Sequence, residues 1–317
     1  MMKSNFSQLA LFKKIAVCSL SLCMSFPAFS SGGGGGGGGD DLPPPDSCTS
    51  NCGYETGPTP DLNFLEAALG PQPYATSSVS SSVDGFGGGT IYYPTSISQE
   101  MATISIAPGF TNTQSAVSWW GPVLASHGFV VITINTNSRF DQPESRSRQL
   151  DSALNYLIDQ SNTSNSPISG LVDENRLATM GFSMGGGGAL RSASRNRLSA
   201  SVPLAPWSTG SNDFNQITVP TMIMACENDG TASVNSHASP FYNAIPGSTD
   251  KAYLELNNGS HNCATGQSTA YQPTISTYGV SWMKRFLDKD GRYDPFLCGP
   301  NHEANSNISE YRDTCNY

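Results

Sequence analysis

The most constraining stretch of the chain is Thr179-Met180-Gly181-Phe182-Ser183-Met184-Gly185-Gly186-Gly187-Gly188-Ala189-Leu190. Leu177 to Met180 is a short apolar run, and Leu190, Ala193 and Arg197 fall at helical spacing, so the segment predicts strand, sharp turn and helix. Gly181-x-Ser183-x-Gly185 lies at the turn. A serine there is held in a strained backbone conformation, and close passage of the chain requires neighbours without side chains. A phosphate-binding loop is the competing reading. No lysine follows the glycines, and no G-x-G-x-x-G spacing with an acidic partner is present. Ser183 is therefore the candidate nucleophile.

The flanking sequence predicts alternating elements. Short helices are expected at Leu62 to Leu69 and Trp119 to His127, and longer ones at Ser147 to Asp159 and Gly279 to Leu287. A further helix is expected near Ser239 to Ile245. Strands are expected at Gly89 to Tyr93, Ala102 to Ala107, Phe129 to Ile134, Ser201 to Leu204, Thr221 to Ala225 and Lys251 to Leu256. This alternation predicts an α/β fold, a doubly wound, mainly parallel sheet with helices on both faces. About a dozen residues separate Trp207 from the next strand, too few for a lid domain.

A nucleophilic serine in such a fold needs a base and an orienting acid, met along the chain in the order serine, acid, histidine. Four histidines exist. His127 precedes the serine, His237 lies beside a helix, and His302 sits in a polar tail. His261 follows the last expected parallel strand in Asn257-Asn258-Gly259-Ser260-His261-Asn262, and is the candidate base. Asp229, at the tip of Cys226-Glu227-Asn228-Asp229-Gly230, is the candidate acid. Glu227 is expected to point back into the fold; Asp213 and Asp250 lie in loops before strands. Backbone N–H groups of Met184 and Phe110 are the expected oxyanion donors.

Residues 1–30 carry Lys3, Lys13 and Lys14, then an apolar run ending in Ala28-Phe29-Ser30, the pattern of a secretory signal. Cys18 and Cys23 within it lack the small preceding residue of a lipid-attachment site. Residues 31–56, with eight glycines from Gly32 to Gly39 and then Pro43-Pro44-Pro45, are expected to be a tether to a catalytic domain over 57–317. Without the leader lysines, 13 basic residues face 25 acidic ones, a net charge near −12. That balance argues against nucleic acid and anionic membranes as partners. Six cysteines remain (Cys48, Cys52, Cys226, Cys263, Cys298 and Cys315), an even number consistent with disulfides in an exported chain. Paired C-x-x-C motifs and a His-x-x-x-His are absent, so no metal site is expected, and the serine chemistry calls for no cofactor.

Several segments together resemble the bacterial cutinase-like polyester hydrolases, the group that includes poly(ethylene terephthalate) hydrolases. They are Pro108-Gly109-Phe110, Trp119-Trp120-Gly121-Pro122, Ala125-Ser126-His127-Gly128-Phe129, Asp141-Gln142-Pro143, Gly181-Phe182-Ser183-Met184-Gly185, Ala205-Pro206-Trp207, Ala225-Cys226-Glu227-Asn228-Asp229, Gly259-Ser260-His261 and Trp282-Met283-Lys284-Arg285-Phe286. The resemblance runs from about Gly57 to Cys315. It implies an α/β-hydrolase fold, Ser183, Asp229 and His261 as triad, and Phe110 and Met184 as oxyanion donors. It also implies that Phe110, Met184 and Trp207 form the wall holding the acyl unit. Phe182 stands where such proteins usually carry His or Trp, Asn262 where they carry Ser or Phe, and Thr231 where an apolar residue is common; these three are expected to shape the cleft. With the positions of the cysteines, the resemblance implies the bonds Cys226–Cys263 and Cys298–Cys315, leaving Cys48–Cys52 as the third pair. The implied protein is a secreted, monomeric serine esterase acting on polyesters. A general carboxylesterase or triacylglycerol lipase is the nearest alternative, and a catalytically silent surface-binding module the more distant one.

Overall fold

The computed structural model describes residues 53–209 and 214–315, all within one compact unit. The chain runs α1 (Leu62–Glu66), β1 (Tyr74–Val79), β2 (Gly89–Pro94), β3 (Met101–Ala107), α2 (Trp120–Ser126), β4 (Val130–Ile134), α3 (Pro143–Ser161), β5 (Val172–Phe182) and α4 (Met184–Ala193). It continues through β6 (Ala200–Leu204), β7 (Thr221–Cys226), α5 (Ala238–Ala244), β8 (Lys251–Leu256), α6 (Gln272–Leu287), α7 (Asp294–Leu297) and β9 (Ile308–Asp313). One sheet holds all nine strands in the order β1-β2-β4-β3-β5-β6-β7-β8-β9. The six strands from β4 to β8 in that order are parallel, while β1, β2 and β9 pair antiparallel at the two margins. This is the mainly parallel, doubly wound sheet expected from the alternation, in the α/β-hydrolase form that the resemblance implies.

Period-two alternation explains why β3, β4, β6, β7 and β8 are buried at every position: both faces of the sheet are covered. On β7, Met222, Met224 and Cys226 join the core beneath α2 and α6, whereas Ile223 and Ala225 join the core under α4 and α5. On β4, Val131 belongs to the first core, and Val130, Ile132 and Ile134 pack with Leu150, Ala153 and Leu157 of α3. No helix among the described residues is long and apolar enough to cross a membrane.

Two edge strands, β1 and β9, were not expected, and α6 begins at Gln272 rather than Gly279. The segment taken as a polar tail is β9, paired to β8. Cys298 and Cys315 are bonded, which fastens the end of that strand to α7. The Cys48–Cys52 pair and the leader lie outside the described residues. At the start of the described chain, Tyr54 lies under the Arg176 guanidinium at 4.0 Å, and Thr56 Oγ1 accepts from Lys284 Nζ at 2.7 Å. Packing therefore begins ahead of Gly57.

His127, at the end of α2, is buried, 3% exposed. Its Nδ1 lies 2.7 Å from the Val123 carbonyl, and its Nε2 has no partner among the described residues. Burial lowers its pKa to about 4, and the nearby Lys284 charge adds to the effect against the opposing Val123 carbonyl. The unfolded chain would take up this proton near pH 6.5 and the folded chain near 4, so the contribution is complete above the first value and lost as pH falls toward the second. Unfolding free energy should drop by about 2 kcal/mol from this residue between pH 8 and pH 5. Denaturant titrations at the two pH values should show that drop reduced by the same amount in His127→Asn; an unaltered difference would reject the assignment.

Candidate active site

Ser183 sits between β5 and α4 with φ 56° and ψ −118°, in the left-handed region that non-glycine residues avoid. The strain is held by contacts around the turn. The Ser183 N–H donates to the Leu204 carbonyl at 2.9 Å, and the Ser183 carbonyl accepts from Gly187 N at 3.0 Å and Trp207 N at 2.9 Å. A Cβ at Gly181 would stand 2.3 Å from the Gly185 carbonyl oxygen, and one at Gly185 2.3 Å from that of Ala107. Both glycines are thus required by close approach of backbone, as the G-x-S-x-G spacing predicts.

The candidate acid and the candidate base arrive from the two neighbouring loops. Asp229 follows β7 and is 5% exposed. Its Oδ1 accepts from the Thr231 and Ala232 N–H groups at 2.8 and 2.7 Å. Its Oδ2 accepts from His261 Nδ1 at 2.6 Å, which leaves Nε2 of the neutral ring as an acceptor 2.9 Å from Ser183 Oγ. Burial raises the Asp229 pKa, but the His261 hydrogen bond and charge and the two N–H donors together hold it below the usual carboxylate value. The carboxylate is therefore ionised and fixes the imidazole tautomer. Such a line can take the proton of a serine hydroxyl as it attacks an electrophile and return it to a leaving group.

The loops bearing Asp229 and His261 are fastened to each other. Cys226 and Cys263 are bonded, Asn228 N donates to the Gly259 carbonyl at 2.8 Å, and Glu227 Oε2 accepts from Asn258 N at 2.6 Å. Glu227 thus steadies the base loop rather than turning into the fold. Asp213 lies outside the described residues, and Asp250 precedes β8, at the opposite end from His261.

The expected cleft residues divide. Phe110 is 44% exposed, and Trp207 is half-buried beside the serine. Gly109 brings the β3 loop against Ser183, since a Cβ there would stand 3.0 Å from Ser183 Cβ. Met184 is nearly buried at the start of α4. Phe182 is also buried, and its ring packs on His261 with centroids 4.9 Å apart, so it backs the imidazole instead of lining open cleft. Thr231 and Asn262 are exposed; Thr231 contributes its N–H to Asp229, and Asn262 is the second residue of the turn that His261 opens. Sequence reasoning missed two neighbours. His237 stacks on Trp207 at 6.0 Å and meets Phe241 edge-on at 5.8 Å. Burial lowers its pKa, with the His261 charge adding to the effect. Phe140, 62% exposed, meets Phe110 edge-on at 5.6 Å. The only sequence signal for Phe140 is an aromatic in an otherwise polar loop.

Comparison with known proteins accords with this geometry. The family model described as PET hydrolase-like (PETase) matches residues 48–316. The chain belongs to the PET hydrolase-like family. Cutinase est1 of Thermobifida alba is 49% identical over 265 residues, covering 83% of this chain and 86% of that protein. The bis(hydroxyethyl) terephthalate hydrolase of Streptomyces coelicolor is also 49% identical, over 83% of this chain and 82% of its own length. Cutinase 2 of Thermobifida cellulosilytica is 47% identical and covered over 98%. The protein is accordingly a carboxylic ester hydrolase of the cutinase and PET hydrolase type.

Proposed function

We propose that the protein is a secreted serine hydrolase that cleaves the ester bonds of polyesters through a Ser183–His261–Asp229 triad and an acyl-enzyme. The observation that carries this reading is the hydrogen-bonded line from Asp229 Oδ2 through His261 to Ser183 Oγ, at 2.6 and 2.9 Å, on a strained elbow. Ser183 attacks the ester carbonyl while His261 Nε2 takes its proton and then delivers it to the departing alcohol. The N–H groups of Met184 and Phe110 receive the oxyanion. A water deprotonated by His261 then releases the acid, and Ser183 recovers its proton.

A polymeric substrate is favoured by the aromatic rim of Phe110 and Phe140, which solvent reaches at 44% and 62% exposure. A chain too long to be enclosed can lie along such a rim. Bis(hydroxyethyl) terephthalate, the aromatic diester for which the Streptomyces coelicolor relative is named, suits the same aromatic surface. In this reading residues 1–30 direct export, the glycine-rich stretch is a tether and the domain that follows acts as a monomer.

The test is hydrolysis of a polyester film with products identified, beside a soluble short-chain ester. Soluble acids and half-esters should accumulate from the film, at a rate not negligible against the soluble ester. Activity confined to the soluble ester would favour a general carboxylesterase.

A further inference from the structure

Arg146, in the first turns of α3, is fully buried. Among the described residues no carboxylate lies within ion-pair distance of it. Asp141 is the acid whose charge it feels, yet Asp141 Oδ2 is engaged by the Ser138 N–H and Gln149 Nε2, both at 2.9 Å. The guanidinium spends its donors on three backbone carbonyls instead: Nη1 on Pro108 at 2.9 Å, Nη2 on Arg139 at 3.0 Å and Nε on Asp141 at 2.8 Å. A buried cation without a counter-charge is costly and persists only where its hydrogen bonds repay the desolvation.

Those carbonyls belong to the two segments that make the Phe110 side of the cleft. Pro108 immediately precedes the Gly109–Phe110 peptides, and its oxygen is wedged on the other side by the elbow, 2.6 Å from where a Gly185 Cβ would stand. The Arg139 carbonyl also accepts from Thr111 N at 2.8 Å, closing the second segment onto the first. Phe140 and Phe110 then meet above the clamp.

We propose that Arg146 is a positioning residue: its three-carbonyl clamp locks segments 108–111 and 139–141 together and thereby aims the Phe110 N–H at the developing oxyanion. The inference rests on the reading of Ser183 as nucleophile and Phe110 N–H as oxyanion donor. Lysine in this place would keep the charge but not the planar fork needed to satisfy three fixed carbonyls. Because the oxyanion forms only in the transition state, misaiming the donor lowers kcat and spares ground-state binding.

The experiment uses Arg146→Lys with 4-nitrophenyl butyrate, with rates normalised to sites titrated by an organophosphonate. The expected result is a kcat per titrated site about 10- to 100-fold below wild type, with KM within about threefold. A merely structural role would reduce the number of titratable sites and the Tm but leave kcat per site alone. The acyl-enzyme carbonyl stretch, read by infrared difference spectroscopy, should move to higher frequency as the oxyanion donors lose their grip. A folded Arg146→Lys with kcat per site within threefold of wild type overturns the proposal. If that variant does not accumulate, Asp141→Ala loosens the same segment from its exposed side. It should lower kcat about 3- to 10-fold with KM little altered, and an unchanged kcat overturns the proposal equally. Failure of the underlying reading is separately visible, since wild type would then escape labelling at Ser183.

Discussion

Ser183→Ala is expected to lower kcat/KM on a soluble ester by at least about a thousandfold, roughly 4 kcal/mol of transition-state stabilisation, without unfolding the protein. The alanine retains the Cβ that fits the elbow and removes only Oγ, which makes the 2.9 Å contact to His261. His261→Ala should cost a similar factor, because a base without a nucleophile and a nucleophile without a base are equally idle. The double variant should therefore lose little beyond either single one, a non-additivity that independent binding residues would not produce. Steady-state kinetics on the three purified variants, with circular dichroism to verify folding, checks this. Appreciable activity remaining in Ser183→Ala would remove Ser183 from the role of nucleophile.

Removing the Cys226–Cys263 bond in a Cys226→Ser/Cys263→Ser variant should lower stability by about 3–4 kcal/mol, the chain-entropy value for a separation of 37 residues. For a domain of this size that corresponds to a fall in Tm of about 6 °C. Turnover at 25 °C should stay within about threefold of wild type. The reason is that the acid and base loops remain joined by the Asn228 N to Gly259 carbonyl bond and by Glu227 on Asn258 N. Removal of Cys298–Cys315 should cost about 3 kcal/mol for its separation of 17 and leave the kinetics alone, since α7 and β9 lie at the sheet margin. Calorimetry and low-temperature kinetics on both variants distinguish the two. A collapse of turnover at 25 °C in a folded Cys226→Ser/Cys263→Ser variant would mean that the bond aligns the triad rather than merely stapling it.

The elbow and the parallel core were legible in the chain because each is a local or periodic constraint. Gly181 must lack a side chain because the elbow folds the Gly185 backbone back against it, and the runs at β4 and β7 are almost wholly apolar because helices cover both faces of the sheet. His261 and Asp229 could be chosen because loops following parallel strands converge on one edge of the sheet. The edge strands were not legible. Tyr74-Ala75-Thr76-Ser77-Ser78-Val79 and Ile308-Ser309-Glu310-Tyr311-Arg312-Asp313 are largely polar and, Val79 apart, exposed or half-buried, so what makes them strands is a neighbour's free backbone edge. The first turns of α6 escaped for the opposite reason: the helix from Thr274 to Leu287 is buried on every side, and a helix without a wet face has no polar period to read. Contacts between distant segments decided the rest of the site. Phe182 faces the imidazole because β5 ends beneath the His261 loop, and His237 reaches Trp207 because the approach to α5 folds over the end of β6. Arg146 reads in sequence as one more charged residue on an amphipathic helix. Only the tertiary arrangement, which brings Pro108, Arg139 and Asp141 to one buried point, makes a cation the residue that satisfies all three carbonyls.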